Sequence, residues 1–405
     1  MNRIRFSKLA CILLLFVIAA CAPAKATPAS MATSLPPTAA PTATASAPVP
    51  HWWVVTASSD NTAQVWDAAT GQTIAILQGH TGPVNSANFS PDGKWIITAS
   101  EDKTARVWEA ATGKGAAVLS GNNVAVADAF FSPDGKLIAI VAAGIIYVYD
   151  TISGQEVMQL TTPHASTRLP ATTPSFSPDG KWLVSAVEPV LGPVSVWDIT
   201  TGQLVSEFTQ YPPGGIDFNN ATFSPDGKFV AISTGNKLAP VTNSTVAYIW
   251  EPQTGATITE FKGHTHSVFM ASFSPDSQWV VVTASRDKTA QIWEAATGKV
   301  IAVLSGHTGS VYSAFFSPDG KWIVTASADG TARVWEADTG KSISVLTGHT
   351  SLVVSAVFSP DGKFVATASL DNTARIWDAA TGKLVAELKG HTASVNAAAF
   401  SPDKR

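Results

Sequence analysis

The residues best suited to chemistry in this chain are histidines that keep the same company. His307 is followed by Thr325, Asp329 and Trp335. A hydroxyl, an imidazole and a carboxylate are the parts of a nucleophilic hydrolase, in which histidine takes the hydroxyl proton and the acid orients the ring. Histidines beside aspartates also suit a metal. The set recurs, however, as His80, Asp102 and Trp108; as His264, Asp287 and Trp293; and as His349, Asp371 and Trp377. His391, near one end of the chain, matches Asp60 and Trp66 near the other. A catalytic triad occurs once. Five copies with widely spaced histidines point to a structural network instead. A buried indole N–H needs an acceptor and a buried aspartate needs donors.

The elements that must position these residues are short strands. Between Gly306 and Gly340 the chain reads GHTGSVYSAFFSPDGKWIVTASADGTARVWEADTG. Three runs alternate in apolar character, 311–316, 322–327 and 331–335, and a fourth follows at 342–346. Alternation rich in Val, Ile, Thr and aromatics predicts strands. Ser317-Pro318-Asp319-Gly320 has turn chemistry, with proline presetting one turn position and glycine accepting a left-handed one. One unit is a four-stranded antiparallel meander.

A period of roughly 40–45 residues with Gly-His and Trp-Asp signatures resembles the WD repeat. The resemblance runs from about residue 52 to the C-terminus. It implies an all-β, eight-bladed β-propeller, because one meander must stack on its neighbours to bury its faces. It also implies that each His, Ser or Thr, Asp and Trp set forms a hydrogen-bonded tetrad. Trp or its equivalent closes a third strand eight times, at Trp66, Trp108, Tyr149, Trp197, Trp250, Trp293, Trp335 and Trp377. The Phe-Ser-Pro-Asp turn also occurs eight times, the last at Phe400. Residues 52–78 lack a first strand, and 393–400 supply one with nothing after it. Joined, they make a composite blade that shuts the ring and removes its exposed edges.

Of 405 residues, 45% are hydrophobic and 14% charged, which excludes a largely disordered chain. Residues 1–20 read as a signal peptide, with Arg3, Arg5 and Lys8 ahead of an apolar run too short to span a bilayer comfortably. Ile18-Ala19-Ala20-Cys21 resembles a bacterial lipobox, which makes Cys21 the expected lipidation site. Cleavage there leaves one cysteine and no disulfide. It also leaves 23 of the 26 basic residues against 30 acidic ones, which argues against a nucleic-acid partner. Residues 21–50, almost all Ala, Pro, Thr and Ser after the cysteine, form a disordered tether ahead of the propeller at 51–405. Flexible, it would span about 30 Å.

Between Gly121 and Val246 the pattern decays. Gly-His is lost, Tyr149 replaces tryptophan, and insertions stand at 161–173, 188–193, 210–219 and 235–244. In an antiparallel meander all four emerge on the rim that carries the Gly-His loops. Phe269, Arg286, Tyr312 and Tyr211 are the expected partner-binding residues on that rim, since aromatics and arginine dominate interface energetics.

The function expected is a membrane-anchored extracytoplasmic scaffold, monomeric, acting through an unnamed protein partner. It is expected to hold no cofactor or metal and to catalyse nothing. The alternatives are a ligand or carbohydrate sensor, or an enzyme built in the enlarged loops on His164, Arg168, Glu188 or Asp217, whose spacing forms no recognisable site.

Overall fold

The computed structural model describes residues 51–120, 123–161, 174–186, 192–210, 217–235, 245–276 and 280–405. They form eight four-stranded antiparallel sheets arranged as a β-propeller. The repeat around Gly306 shows how sequence makes a blade. Its strands are Val311–Phe316, Trp322–Ser327, Ala332–Glu336 and Ser342–Leu346, paired in chain order. The third starts one residue later than the alternation suggests and takes in Glu336.

The turns explain the repeat's recurring letters. Ser317 Oγ donates to Asp319 Oδ1, the Lys321 N–H donates to the same oxygen, and the Trp322 N–H donates to Ser317 Oγ at 2.9 Å. Gly320, at φ 73°, closes the turn by donating to the Ser317 carbonyl. An L side chain rarely adopts that angle.

We number the blades 1 to 8, starting with the composite one. Blade 1 joins Trp52–Ser58, Thr62–Asp67 and Thr73–Gln78 to the C-terminal strand Val395–Lys404, which pairs with Trp52–Ser58. Blades 2 to 8 occupy 84–120, 126–161, 175–208, 217–262, 268–304, 311–346 and 353–389. The closing strand is longer than expected. Elsewhere Ser-Pro-Asp turns the chain back, but here Ser401 to Lys404 stay extended until Lys404 pairs with Trp52. The backbones of His51 and Arg405 then exchange hydrogen bonds of 3.1 and 2.9 Å.

The core is a set of eight clusters, one in each seam between blades. Between blades 2 and 3, Ile97 and Leu119 meet Val126, Ile138 and Ile140. Blade 1 is packed on both sides: Val55 and Leu77 against Ile96 and Trp108 of blade 2, and Val54 and Trp66 against Ile376 and Leu388 of blade 8. With every seam filled, both faces of each meander leave water, which is the main source of stability in such a ring.

Candidate functional site

In blade 7 the structure brings His307, Thr325, Asp329 and Trp335 together. The indole Nε1–H of Trp335 donates to Thr325 Oγ1 at 2.9 Å. Thr325 Oγ1 lies 2.8 Å from His307 Nε2, and His307 Nδ1 lies 2.9 Å from Asp329 Oδ2. One protonation pattern satisfies every atom: indole to hydroxyl, hydroxyl to Nε2, and Nδ1–H to carboxylate. The Asp329 carboxylate also accepts from the Thr308 N–H, the Thr331 N–H and the Thr331 hydroxyl.

The same arrangement holds in four more blades. Thr98, Thr283 and Thr367 link the His80, His264 and His349 sets, each histidine within 2.8 Å of its aspartate. In blade 1, Thr56 stands between Trp66 and His391. Each aspartate is also capped by a threonine two residues on: Thr62, Thr104, Thr289, Thr331 and Thr373. Sequence reasoning named only Thr325 among these hydroxyls. The second-strand alignment contains Thr56, Thr98, Thr283 and Thr367, and the Asp-x-Thr spacing contains the caps.

Burial determines the electrostatics. It lowers the proton affinity of His80, His307, His349 and His391, and the facing aspartates offset only part of this, so the rings stay neutral at pH 7. Burial alone would raise Asp102. The Thr104 hydroxyl, the Thr81 N–H and His80 outweigh it and bring the carboxyl down to about 2. The order hydroxyl, imidazole, carboxylate copies that of a hydrolase. Yet Thr325 has no exposed surface and its oxygen already accepts the indole proton, so it cannot reach a substrate. The five sets orient blades. Among the described residues no three His, Cys, Asp or Glu side chains cluster in a way that could hold a metal.

Blades 3 to 5 depart from this chemistry. Tyr149 stands at the tryptophan position of blade 3 and donates its hydroxyl to the Ser120 carbonyl of blade 2 at 2.9 Å. Burial, with Glu156 close by, pushes that phenol up to about 12. In blade 5, Ile232 occupies the place of Thr98, and the buried Trp250 indole N–H has no hydrogen-bond partner among the described residues.

The rim residues expected to meet a partner divide into two groups. Phe269 and Tyr312 are half-buried and pack ring to ring across the seam between blades 6 and 7, centroids 5.7 Å apart. Arg286, just before Asp287, is exposed. At the matching positions of other blades asparagines span the seam instead: Asn396 Nδ2 donates to the Val84 carbonyl, Asn85 to Val126 and Asn219 to Val268, all within 3.0 Å. Asn85 and Asn396 therefore tie neighbouring blades together. Tyr211, the loop 236–244, most of the other insertions and Cys21 lie outside the described residues.

A family model described as WD domain, G-beta repeat matches residues 71–109, 255–294, 298–336, 340–378 and 382–405. Each full match takes the fourth strand of one blade and the first three of the next, so it contains one seam. The five matches carry the five histidines of the hydrogen-bonded sets, and the unmatched stretch holds blades 3 and 4 and most of blade 5. No curated protein matches the chain. Among solved structures, the crystal structure of the computationally designed Ika8 protein superposes with a TM-score of 0.66 at 25% identity, covering 79% of this chain and 91% of that one. With the repeats matched, eight meanders in a ring and a hydrogen-bonded set in five of them, the chain belongs to the WD-repeat β-propeller family.

Proposed function

We propose that this propeller is a monomeric, lipid-anchored extracytoplasmic scaffold that holds a protein partner on the rim bearing the Gly-His loops. The observation that carries the reading is the Phe269–Tyr312 pair. Where blades 1, 2 and 5 close their seams with asparagine, blades 6 and 7 pack two tilted rings together, and Arg286 on the same rim of blade 6 is exposed. Lys288 and His266 on the same blade are also exposed, whereas the nearby Asp287 and Asp329 carboxylates are spent on histidines. That patch offers aromatic surface and positive charge, which suits an acidic partner segment.

The anchor rests on Cys21 and the tether on residues 21–50. Mass spectrometry of the mature N-terminus tests the first: a diacylated Cys21 is expected, and an unmodified terminus elsewhere overturns the anchor. Cross-linking on intact cells tests the surface. Alanine at Phe269, Arg286 and Tyr312 together should abolish the cross-linked species while the melting temperature moves by only a few degrees. An undiminished cross-link in that variant would place the partner elsewhere.

A further inference from the structure

The outer wall carries cross-strand pairs that the histidine sets do not use. Two residues before the tryptophan, the third strands of blades 2, 7 and 8 carry Arg106, Arg333 and Arg375. Each guanidinium lies over the glycine that precedes the blade's histidine; a Cβ on Gly79 would come within 2.9 Å of Arg106 Nη1, and one on Gly306 within 2.8 Å of Arg333 Nη1. The three arginines share a position but differ in what faces them.

In blade 8 the residue directly across is Glu387, and Arg375 Nη2 donates to its carboxylate at 2.8 Å. The fold itself thus shows what this position takes. In blade 7, Val345 faces Arg333, whose guanidinium lies 5.8 Å from the centre of the Trp335 ring. In blade 2, Val118 faces Arg106, and no carboxylate among the described residues reaches it. Beside it, Gly115 stands opposite Trp108 where Leu384, Val300 and Ser342 stand in blades 8, 6 and 7. Glycine and the alanines after it leave a depression of about 340 Å³ lined by Arg106, Trp108, Gly115, Ala116, Ala117 and Val118. The six-membered edge of the Trp108 indole forms its floor, 3.7 Å from where a Gly115 Cβ would be.

The geometry points to a binding site for a carboxylate carried on a flat apolar body. The guanidinium of Arg106 takes the carboxylate, as Arg375 takes Glu387, and the apolar body lies along the Trp108 edge in the space that Gly115 leaves. A guanidinium fork matches two carboxylate oxygens, and an aromatic wall beside it favours a ring over an acetate-sized ligand. Such a group comes from two sources, a free aromatic acid or the C-terminal phenylalanine of a peptide.

Fluorine NMR of para-fluorobenzoate titrated with the full chain tests the site. Saturable line broadening is expected, weakened at least tenfold by Arg106→Leu and by Gly115→Leu, and unchanged by Arg333→Leu. Gly115 has ordinary strand geometry and no neighbour closer than 3.7 Å, so leucine fills the depression without straining the backbone. Thermal melts identify any variant that has lost its fold, and Arg106→Lys, which keeps the charge without the fork, should then show the intermediate loss. The peptide arm uses an acetylated tripeptide ending in phenylalanine and its C-terminal amide as competitors. Displacement by the acid alone assigns a peptide terminus, and displacement by neither assigns the free acid. No saturable binding of the probe, or equal binding by the Arg106 and Gly115 variants, overturns the proposal.

Discussion

The imidazole of His391 meets the carboxylate of Asp60 at 2.9 Å across 331 residues of chain. Around that bond the Thr392 N–H reaches the same carboxylate, and Thr56 joins the imidazole to the Trp66 indole. Blade 1 therefore has a complete hydrogen-bonded set only when the two ends of the propeller meet. Its inner strand fills the seams on both sides through Val395, Ala397, Ala398 and Ala399.

A chain ending at Lys389 should accordingly lose far more than the roughly 1 kcal/mol of a typical point substitution. It exposes the Trp52–Ser58 edge, takes His391 and the Thr392 N–H away from Asp60, and leaves Thr56 without its imidazole partner. The expected result is a melting temperature lowered by well over ten degrees, or aggregation. A truncated chain melting like the full one would contradict closure by the C-terminal strand.

The hydrogen-bonded sets predict unequal costs for like substitutions. His307→Ala and His349→Ala should each cost about 1–3 kcal/mol, since each leaves a buried hydroxyl and carboxylate short of a partner. Trp335→Phe removes an indole whose N–H is bonded, whereas Trp250→Phe removes one whose N–H is not. The first should cost about 1–2 kcal/mol more in denaturant unfolding. Equal losses at the two tryptophans would show that Thr325 contributes little to the Trp335 site.

Asp128 should be a stability defect at neutral pH. Burial raises its carboxyl to about 6, opposed by the Ala129 N–H at 2.8 Å; the Ser86 hydroxyl of blade 2 lies alongside without completing a bond. With a folded-state value above the unfolded one, the stabilising share is full below about pH 4 and is lost as pH rises through about 6. Serine stands at the matching position in blades 2, 7 and 8, as Ser86, Ser313 and Ser355. Asp128→Ser should gain on the order of 2–3 kcal/mol at pH 7.5 and nothing near pH 4. A gain independent of pH would assign the effect to packing.

Acid should unfold the Asp128→Ser protein in two stages. His80, His307, His349 and His391 have folded-state values below 6.5, so their share is full above the unfolded value and is lost as pH falls below it. Asp60, Asp102, Asp287, Asp329 and Asp371 are also lowered, and their share is lost only as pH falls below about 4. Melting temperatures should be level from pH 8 to 7, decline gently below about 6 and drop steeply below about 4. A rise between pH 6.5 and 5 would contradict neutral histidines.

Much of this protein was legible in the order of its residues because a repeat states its local rules several times. Alternation placed the strands, Ser-Pro-Asp-Gly placed the turns, and the offset between the tryptophan and Ser-Pro-Asp series counted eight blades with one shared between the ends. The strands and turns depend on residues within about 40 positions, and the shared blade on the offset of two repeated series, so the sequence alone states them. The tertiary structure decided whatever depends on the neighbouring blade. Asn85 and Phe269 hold the same place in their strands, yet one bonds the next blade's carbonyl and the other packs on that blade's Tyr312. Ser401-Pro402-Asp403 spells a turn and instead runs on as strand, because Trp52 offers an open edge there. A pattern in the chain specifies what a side chain can offer, but its partner is set by the packing of strands that the chain order does not place side by side.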